Sequence, residues 1–312
     1  MPTLSFAKLH PGGNTTIILL ACGLGQEELA RASAVLMSPL HLGAEQVGEL
    51  FMRRPVPHLQ MMGGECCVNA VRSAALLLAR AGLLRPVGTK GCGGGRITVS
   101  GALAPLDILA CAREDALLEA LSLSPENSPP DALLPPLPDP RLFCAARMAC
   151  GAGSTRILPV EPGVHLVHMP GICHLLVDAA IRPLPRNWRA GSADLRQQAG
   201  IANAPASGVV WYECRDGAYH ITPAVEVKAT ASEHLETACG SASLAMALLH
   251  AATQADPGSP LAIVQPSGET LKVTLFSEPA ADARTRGAAI FPSQAWVSGR
   301  VGLVAEGLAH IP

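Results

Sequence analysis

Apolar and polar positions along the chain form two patterns: short apolar runs between turn residues, and longer runs with helical spacing. The run TTIILLAC at 15–22 is short, rich in β-branched residues and flanked by glycines, so it predicts a buried strand. The run EELARASAVLM after it has helical spacing, and CVNAVRSAALLLARAGLL predicts a strong helix. The segment GAEQVGELFM predicts a strand, and GRITVSGALAPLDILACA predicts a hairpin with a Gly-Ala turn.

The second half of the chain repeats this mixture. Strand-like runs come first, followed by the predicted helix SASLAMALLHAATQ and two further predicted hairpins, PLAIVQPSGETLKVTLFSE and WVSGRVGLVAEGLAHI. The proline-rich segment 122–140 separates the halves and predicts an extended connection. We therefore expect a first domain at 1–140, which includes this connection, and a second domain at 141–312. Whether the last strand returns to the first domain is left open.

Each half contains several strands and one prominent helix that starts at a cysteine. Aligning the helices on Cys67 and Cys239 also matches Ala70 with Ala242. This internal similarity predicts an α+β fold of two similar halves that face each other.

Composition narrows the class of protein. The chain has 312 residues, of which 49% are hydrophobic and 15% charged, which is typical of a globular protein with room for two cores. The net charge is −2 and aromatic residues make up 3%, so neither a basic nucleic-acid surface nor a base-stacking platform is indicated.

No segment has the length of a membrane span, and the start MPTLSFAKLHPGGNTT lacks the pattern of a signal peptide. The expectation is a cytoplasmic protein that binds neither nucleic acid nor membrane. A homodimer is left open as its assembly.

The chain has ten cysteines, and none of them forms a Cys-x-x-Cys pair, so zinc-ribbon and thioredoxin-like interpretations have no support. In a chain of this kind we expect reduced thiols rather than a disulfide framework. Cys22 and Cys66 are predicted to pack in the core, and Cys92, in KGCGGGR, to lie in a glycine-rich turn.

Cys67 and Cys239 differ from the others because each is predicted to precede a helix. A helix N-terminus carries positive potential and unpaired N–H groups, which favour a thiolate and also bind carboxylates. Two such thiols across a cleft suit inversion at a carbon next to a carboxylate. One thiolate removes the α-proton, and the opposite thiol returns a proton to the other face. This chemistry needs no metal and no organic cofactor.

Several motifs resemble those of the diaminopimelate epimerase superfamily. CVNAVR resembles its Cys-Gly-Asn-Gly-x-Arg motif, ETACGSAS its Ala-Cys-Gly-Thr-Gly motif, and PGGNTT its early glycine-asparagine segment. The histidine racemases of staphylopine-type metallophore pathways are the most similar branch, through HPGGNTTIILL, EQVG, GGECCVNA, LETACGSAS and VQPSGETLKV.

The resemblance implies two pseudo-symmetric domains, each a mixed sheet wrapped around a central helix. It also implies a racemase of a small amino acid that needs no cofactor, with histidine as the expected substrate. It implies that Cys67 and Cys239 are the acid–base pair. The residues that it implies for substrate binding are Asn14, Glu45, Gln46, Val68, Asn69, Glu236, Gly240 and Ser241.

The sequence departs from the family motifs, since Val68 and Ala242 replace glycines and the Glu-Arg pair with which diaminopimelate epimerases hold their substrate is not evident before Cys239. Alternative interpretations also stay open for the polar residues: Asn14 fits a simple turn, Glu236 a helix cap, and Glu45 and Gln46 a surface. Arg72 is expected to be structural.

Alternative interpretations also stay open for the function of the protein. A diaminopimelate epimerase or another proline-racemase-like isomerase is one alternative, and a non-catalytic protein that uses its thiols to bind metal or sense oxidation is another. His165, His168 and His174 cluster in the sequence, but without further ligands they do not make a metal site.

Overall fold

The computed structural model describes residues 3–52, 56–88, 91–123, 132–150, 155–228, 232–253, 260–276 and 292–312. The chain divides into two compact units, one formed by Met1–Ala146 with Ser298–Pro312 and the other by Arg147–Val297. It passes between the units within strand β8, Arg141–Ala149, and within strand β17, Gln294–His310.

The first unit is a closed barrel of eight strands. Besides β8 and β17 it contains β1 Thr3–His10, β2 Thr16–Leu20, β3 Gln46–Phe51, β4 His58–Met61, β5 Arg85–Val87, β6 Cys92–Val99 and β7 Leu106–Cys111. Successive pairing runs from β1 through β2, β3, β4, β6, β7 and β8 to β17, which pairs with β1 and closes the ring. The short β5 adds to β6.

Three helices belong to this unit: α1 Gln26–Met37, α2 Val68–Arg80 and α3 Glu114–Ala120. Helix α2 contacts β2, β6 and β7, and each residue from Val68 to Leu76 is buried. A helix buried on every side needs apolar or small residues all round, which explains the run of alanines and leucines. Helix α1 packs on β3 instead, through a cluster that includes Ile17, Leu19 and Leu29. Strand β2 is therefore covered on both faces, and its sequence is continuously apolar.

The second unit has the strands β9 Arg156–Glu161, β10 Val164–Met169, β11 Ile172–Asp178, β12 Ala206–Arg215, β13 Ala218–Val227, β14 Ser232–Leu235, β15 Leu261–Val264 and β16 Thr270–Phe276, and the helices α4 Trp188–Gln198 and α5 Gly240–Thr253. β11 and β12 are parallel and are joined through α4, and β13 and β15 are parallel and are joined through α5. The other pairs are antiparallel: β9 with β10, β10 with β11, β12 with β13, β13 with β14, and β15 with β16.

Strand β11 is buried on both faces. Cys173, Leu175 and Val177 belong to the apolar cluster that also contains Leu195 of α4. Because side chains alternate along a strand, His174 and Leu176 point to the other face, where α5 contacts β11. Helix α5 is buried at each residue from Ala242 to Leu249.

Most elements predicted from the pattern are confirmed: β2, β3, α1, α2, the β6–β7 hairpin, α5 and the β15–β16 hairpin lie where expected. The α+β class is also confirmed. Helices α3 and α4 were not predicted; α4 buries only Ser192, Leu195 and Arg196, so its apolar pattern is weak.

Three predictions about the strands and the oxidation state of the cysteines are wrong. The segment WVSGRVGLVAEGLAHI is not a hairpin but part of the single 17-residue strand β17, because it pairs along β1 from His310 to Gly302 without a turn. Cys92 lies in strand β6 rather than in a turn. There it is directly opposite Cys111 of β7, at a Cα–Cα distance of 4.4 Å, and forms a disulfide with it, so these two thiols are not reduced as expected.

The predicted connection 122–140 is described only outside 124–131. Its later part is extended and bound to the first unit, because the Leu134 N–H donates to the Leu84 carbonyl at 2.8 Å and the Leu137 N–H to the Ala79 carbonyl at 3.1 Å.

Candidate active site

The first candidate thiol, Cys67, is the N-cap of helix α2. Its sulfur accepts a hydrogen bond from the Ala70 N–H at 3.5 Å, and its carbonyl accepts one from the Val71 N–H at 3.0 Å. The turn before it needs a glycine, since Gly64 has a φ of 75°. The thiol donates a hydrogen bond to the Gln46 Oε1 at 2.7 Å.

The Gln46 side chain is held in one orientation. Its Nε2 donates to the Asn14 Oδ1 and, at 2.9 Å, to the Thr16 Oγ1. With both amide hydrogens engaged, the carbonyl oxygen is left facing Cys67. Asn14 has a left-handed φ of 28° after two glycines, a conformation that asparagine tolerates better than most residues. Asn14 is therefore both a turn residue and a partner of Gln46.

The remaining predicted residues of this unit take different places. Val68 is buried, and its apolar side chain has no hydrogen-bonding group to offer a ligand. Asn69 is also buried, and its Oδ1 accepts a 3.5 Å hydrogen bond from Arg72. Glu45 is half-buried just before β3, and its N–H donates to the Thr15 carbonyl at 2.9 Å.

Arg72 has the structural role expected of it. It is fully buried and donates to three carbonyls, those of Pro11, Cys144 and Arg300, at 3.1–3.2 Å. Burial lowers the pKa of the guanidinium to about 10, while negative charge on Cys144 or Cys67 raises it. The same coupling means that the Arg72 cation favours the thiolate of Cys67.

The second candidate thiol, Cys239, caps helix α5 in the same way. Its sulfur accepts a hydrogen bond from the Ala242 N–H at 3.4 Å, and its carbonyl accepts one from the Ser243 N–H at 3.0 Å. The Ser241 Oγ lies 3.4 Å from the sulfur. Gly240 is the first residue of the helix and is buried, and Ser241 is half-buried.

Burial raises the pKa of the Cys239 thiol well above its ordinary value, and the Glu236 carboxylate raises it further by its charge and a hydrogen bond. The Ser241 hydroxyl and the Ala242 N–H act in the opposite direction. The prediction that a helix start favours the thiolate is therefore wrong for Cys239 as a net effect. Desolvation and a neighbouring anion outweigh the helix terminus there. Glu236 itself follows β14, and its N–H donates to the Pro223 carbonyl at 2.9 Å.

Two residues beside Cys239 were not predicted. Gln265 is buried, accepts the Cys239 N–H at 2.9 Å, and donates to the Ser243 Oγ at 3.1 Å and the Ile263 carbonyl at 3.0 Å. It lies in VQPSG, where the turn signal was recognised but a buried amide was not. His174 is fully buried, and its Nε2 lies 2.9 Å from the Ser241 Oγ.

The other thiols near the predicted sites differ from these two. Burial, together with the charge of Glu65, raises the pKa of the Cys66 thiol to about 11. Cys22 lies four residues before the first residue of α1 and packs, half-buried, against the cluster under that helix. Burial likewise raises its pKa. Neither thiol caps a helix.

Among the residues that the structure describes, no group of three or more His, Cys, Asp or Glu side chains could hold a metal ion. Over the same residues, no helix is both long and apolar enough to cross a membrane.

The fold is similar to those of several solved structures. The chain is similar over 98% of its length to 92% of a hydroxyproline epimerase from Agrobacterium vitis, solved with bound trans-4-hydroxy-L-proline, at a TM-score of 0.61 and 12% identity. It is equally similar to a Bacillus anthracis phenazine biosynthesis protein of the PhzF family, with 100% of each chain covered, a TM-score of 0.61 and 15% identity. A predicted epimerase from Pseudomonas aeruginosa gives a TM-score of 0.58 at 12% identity, with 99% of each chain covered.

Comparison of sequences confirms the resemblance to histidine racemases over part of the chain. Residues 3–115 match the family model described as the histidine racemase CntK N-terminal domain. Two curated histidine racemases of Fusobacterium nucleatum subsp. nucleatum, from strains ATCC 23726 and ATCC 25586, are 45% and 43% identical to this chain over 76 residues. These matches cover 24% of the chain and 27% of each relative's length.

Proposed function

We propose that the protein is an amino-acid racemase that interconverts L- and D-histidine with two thiols and without a cofactor. The observation that carries this proposal is that a cysteine sulfur caps a buried helix in each unit, with the same N–H three residues later as its donor. The histidine substrate rests on the match of 3–115 to histidine racemases. The fold alone does not identify histidine as the substrate, because the solved structures with a similar fold include a hydroxyproline epimerase.

The connections within each unit support a two-fold, pseudo-symmetric origin. In the first unit β1 pairs antiparallel with β2, α1 leads to the parallel β3, β3 pairs antiparallel with β4, and α2 leads to the parallel β6. In the second unit β10, β11, α4, β12, β13, α5 and β15 follow the same order. We therefore propose that the two helix-capping cysteines are equivalent positions that serve the two faces of one substrate carbon.

In the proposed reaction the thiolate of Cys67 takes the α-proton of histidine, and the electron pair of the broken C–H bond moves into the carboxylate as an enediolate. The Cys239 thiol then gives its proton to the opposite face of the carbon. Cys67 ends protonated and Cys239 ends as a thiolate, so the reverse reaction starts from the opposite state. The raised pKa of Cys239 fits a proton donor in the resting protein, and the buried Arg72 cation favours the thiolate of Cys67.

The substrate-binding roles are proposed on the same basis. The N–H groups at the starts of α2 and α5, near Val68, Asn69, Gly240 and Ser241, would bind the carboxylate and stabilise the enediolate charge. Asn14, Glu45, Gln46 and Glu236 would contact the amino group and the side chain of the substrate.

The test is exchange of the α-hydrogen of L-histidine in heavy water with purified protein and no added cofactor. We expect D-histidine to form with deuterium at the α-carbon, because the returned proton comes from a thiol that exchanges with solvent. Cys67→Ser and Cys239→Ser should each abolish net racemisation, whereas Cys66→Ala, the matched neighbour, and Cys22→Ser should retain much of it. A Cys239→Ser protein that racemises at nearly the wild-type rate would contradict the mechanism.

The substrate is tested separately by screening the common L-amino acids, 4-hydroxyproline and diaminopimelate for stereochemical inversion. Inversion of another amino acid but not of histidine would replace the substrate and keep the two-thiol mechanism.

We further propose that the D-histidine supplies an opine-type metallophore. Loss of the gene should then remove the metallophore from the culture medium, and added D-histidine should restore it.

A further inference from the structure

His174 of strand β11 is connected to the second candidate thiol, Cys239, through Ser241. It is fully buried on the face of the strand that α5 covers, and its Nε2 lies 2.9 Å from the Ser241 Oγ. The Ser241 Oγ is in turn 3.4 Å from the Cys239 sulfur. Imidazole, hydroxyl and sulfur therefore form one chain of hydrogen-bonding groups within the second unit.

The space for this imidazole is provided by a glycine. Gly208 of β12 is paired directly with His174, and a Cβ at position 208 would lie 2.2 Å from the His174 Nδ1. No real side chain tolerates that distance, so any other residue at 208 would displace the ring.

The ring is neutral, and its tautomer follows from its surroundings. Burial, together with the charge of the Arg196 cation of α4, lowers the pKa of His174 to about 3. Its Nδ1 is buried and makes no hydrogen bond to the residues that the structure describes. A buried N–H without a partner is rarer in proteins than an acceptor without one. The single ring proton therefore lies on Nε2, where it is donated to the Ser241 Oγ.

This tautomer decides what the Ser241 hydroxyl can do. A hydroxyl has one hydrogen to donate, and its oxygen here accepts from the imidazole. The hydrogen is then free to be donated to the sulfur of Cys239. We propose that His174 is a positioning residue: by donating to the Ser241 oxygen, it commits the Ser241 proton to the Cys239 sulfur and so stabilises the thiolate. Its meaning for catalysis rests on the proposed function, but the hydrogen-bond chain itself does not.

The charged groups around this chain act in known directions. Glu236, before α5, opposes the thiolate of Cys239, and Ser241 supports it. The Arg196 cation of α4 lowers the pKa of His174 by its charge and is itself held by Glu233, at an N–O distance of 2.5 Å, and by Glu226, at 3.8 Å. None of these groups donates a hydrogen bond to the Ser241 oxygen among the contacts that the structure describes, which leaves that role to His174.

The experiment measures alkylation of Cys239 by iodoacetamide across a range of pH, with peptide mass mapping to separate this thiol from the others. The loss of a hydrogen bond to the thiolate lowers the fraction of ionised thiol by about tenfold, and the greater nucleophilicity of the remaining thiolate partly offsets this. We expect Ser241→Ala to slow alkylation at pH 8 roughly three- to tenfold. His174→Leu should slow it in the same direction.

Two comparisons separate positioning from space-filling. His174→Gln should restore most of the rate that His174→Leu loses, because the glutamine Nε2–H stands the same number of bonds from the backbone as the imidazole Nε2–H. The effects of His174→Leu and Ser241→Ala should not multiply in the double variant, since both break one chain. His168→Gln, on the adjacent strand β10, is the matched control and should alkylate at the wild-type rate.

Three outcomes would each overturn the proposal. The first is equal slowing of alkylation by His174→Leu and His174→Gln, and the second is a double variant in which the effects of His174→Leu and Ser241→Ala multiply. The third is an unchanged alkylation rate in a folded His174→Leu protein. If His174→Leu does not fold, Gly208→Ala is the alternative variant, because it displaces the ring while keeping the histidine and should also slow alkylation. A folded Gly208→Ala protein that is alkylated at the wild-type rate would overturn the proposal. The readout needs no turnover. A protein that shows the expected alkylation pattern but does not racemise histidine would therefore contradict the proposed function and leave the role of His174 standing.

Discussion

At the scale of single residues, the two cysteine caps have the same backbone geometry but different electrostatics. Cys67 donates to a neutral amide that is oriented by Asn14 and Thr16. Cys239 is buried beside the Glu236 carboxylate. A helix terminus has a similar effect on both thiols, whereas the groups that surround each thiol differ.

This difference gives the first prediction. Glu236→Gln removes a negative charge that raises the pKa of Cys239, so the thiolate should form more readily. We expect iodoacetamide to alkylate Cys239 about three- to tenfold faster at pH 8, measured on the Cys239 peptide. Glu269→Gln, an exposed position in the same unit, is the matched control. An unchanged or slower rate with Glu236→Gln would show that this carboxylate does not control the thiol.

At the scale of elements, the turn between β6 and β7 supports the segment that leads into Cys67. The Ser100 Oγ donates to the Glu65 carbonyl at 2.9 Å. Gly101 has a φ of 73°, and a Cβ on it would lie 2.7 Å from the Cys66 backbone nitrogen. The start of α2 is therefore positioned by a turn that lies more than thirty residues later in the sequence.

The second prediction follows from this close approach. Gly101→Ala should push the 64–66 backbone away and lower kcat for racemisation by at least about tenfold, since small displacements of catalytic groups are costly. Gly217→Ala is the matched control, because Gly217 has a φ of 77° and a Cβ there would meet nothing within 4 Å. Both variants should lose about 1 kcal/mol from backbone strain, measured by urea unfolding. Equal activity of the two variants would mean that the turn does not position Cys67.

At the scale of the whole molecule, the proposed reaction requires both helix-capping thiols at one substrate carbon. In the absence of substrate, thiols that close to each other should oxidise to a disulfide. We expect mild oxidant to inactivate the protein, a reductant to restore activity, and mass mapping to find Cys67 joined to Cys239. The Cys92–Cys111 link should be present in both states and serves as the internal reference. Full activity after oxidation, or a different new pair, would contradict the two-thiol site.

The thiols in the cores also make the stability of the molecule depend on alkaline pH. Burial raises the pKa of Cys150 to about 12 in the folded protein, from an ordinary value of 9.0. The folded state keeps this proton where the unfolded state releases it, so stability present below pH 9 is lost as the pH rises toward 12.

From pH 8 to pH 11, the free energy of unfolding should therefore fall by about 2 kcal/mol more in the wild type than in Cys150→Ala. The measurement is urea unfolding at several pH values, with exposed Cys214→Ala as the control that behaves like the wild type. Parallel curves for wild type and Cys150→Ala would rule out a buried, protonated thiol at this position.

Local pattern was sufficient to predict much of the fold. The helices α2 and α5 and the strands β2 and β3 follow from apolar runs and turn residues, because these signals depend on neighbours in the chain. The pattern did not reveal that β17 is one strand, since its glycines resemble turns and only the long pairing with β1 keeps it extended. Helix α4 was missed because few of its side chains are apolar and buried.

For the candidate site, the sequence by itself determined that a cysteine precedes each of the two most apolar helices, and that Asn14 and Gln46 lie in recognisable motifs. The tertiary structure decided what surrounds each sulfur. Gln265, just after β15, accepts the Cys239 N–H, and His174 of β11 acts on Cys239 only through Ser241. Burial, not the helix start, sets the net direction of the Cys239 pKa shift. Helix capping is a local interaction that the chain order encodes, whereas desolvation and charge at a sulfur depend on which elements pack around it.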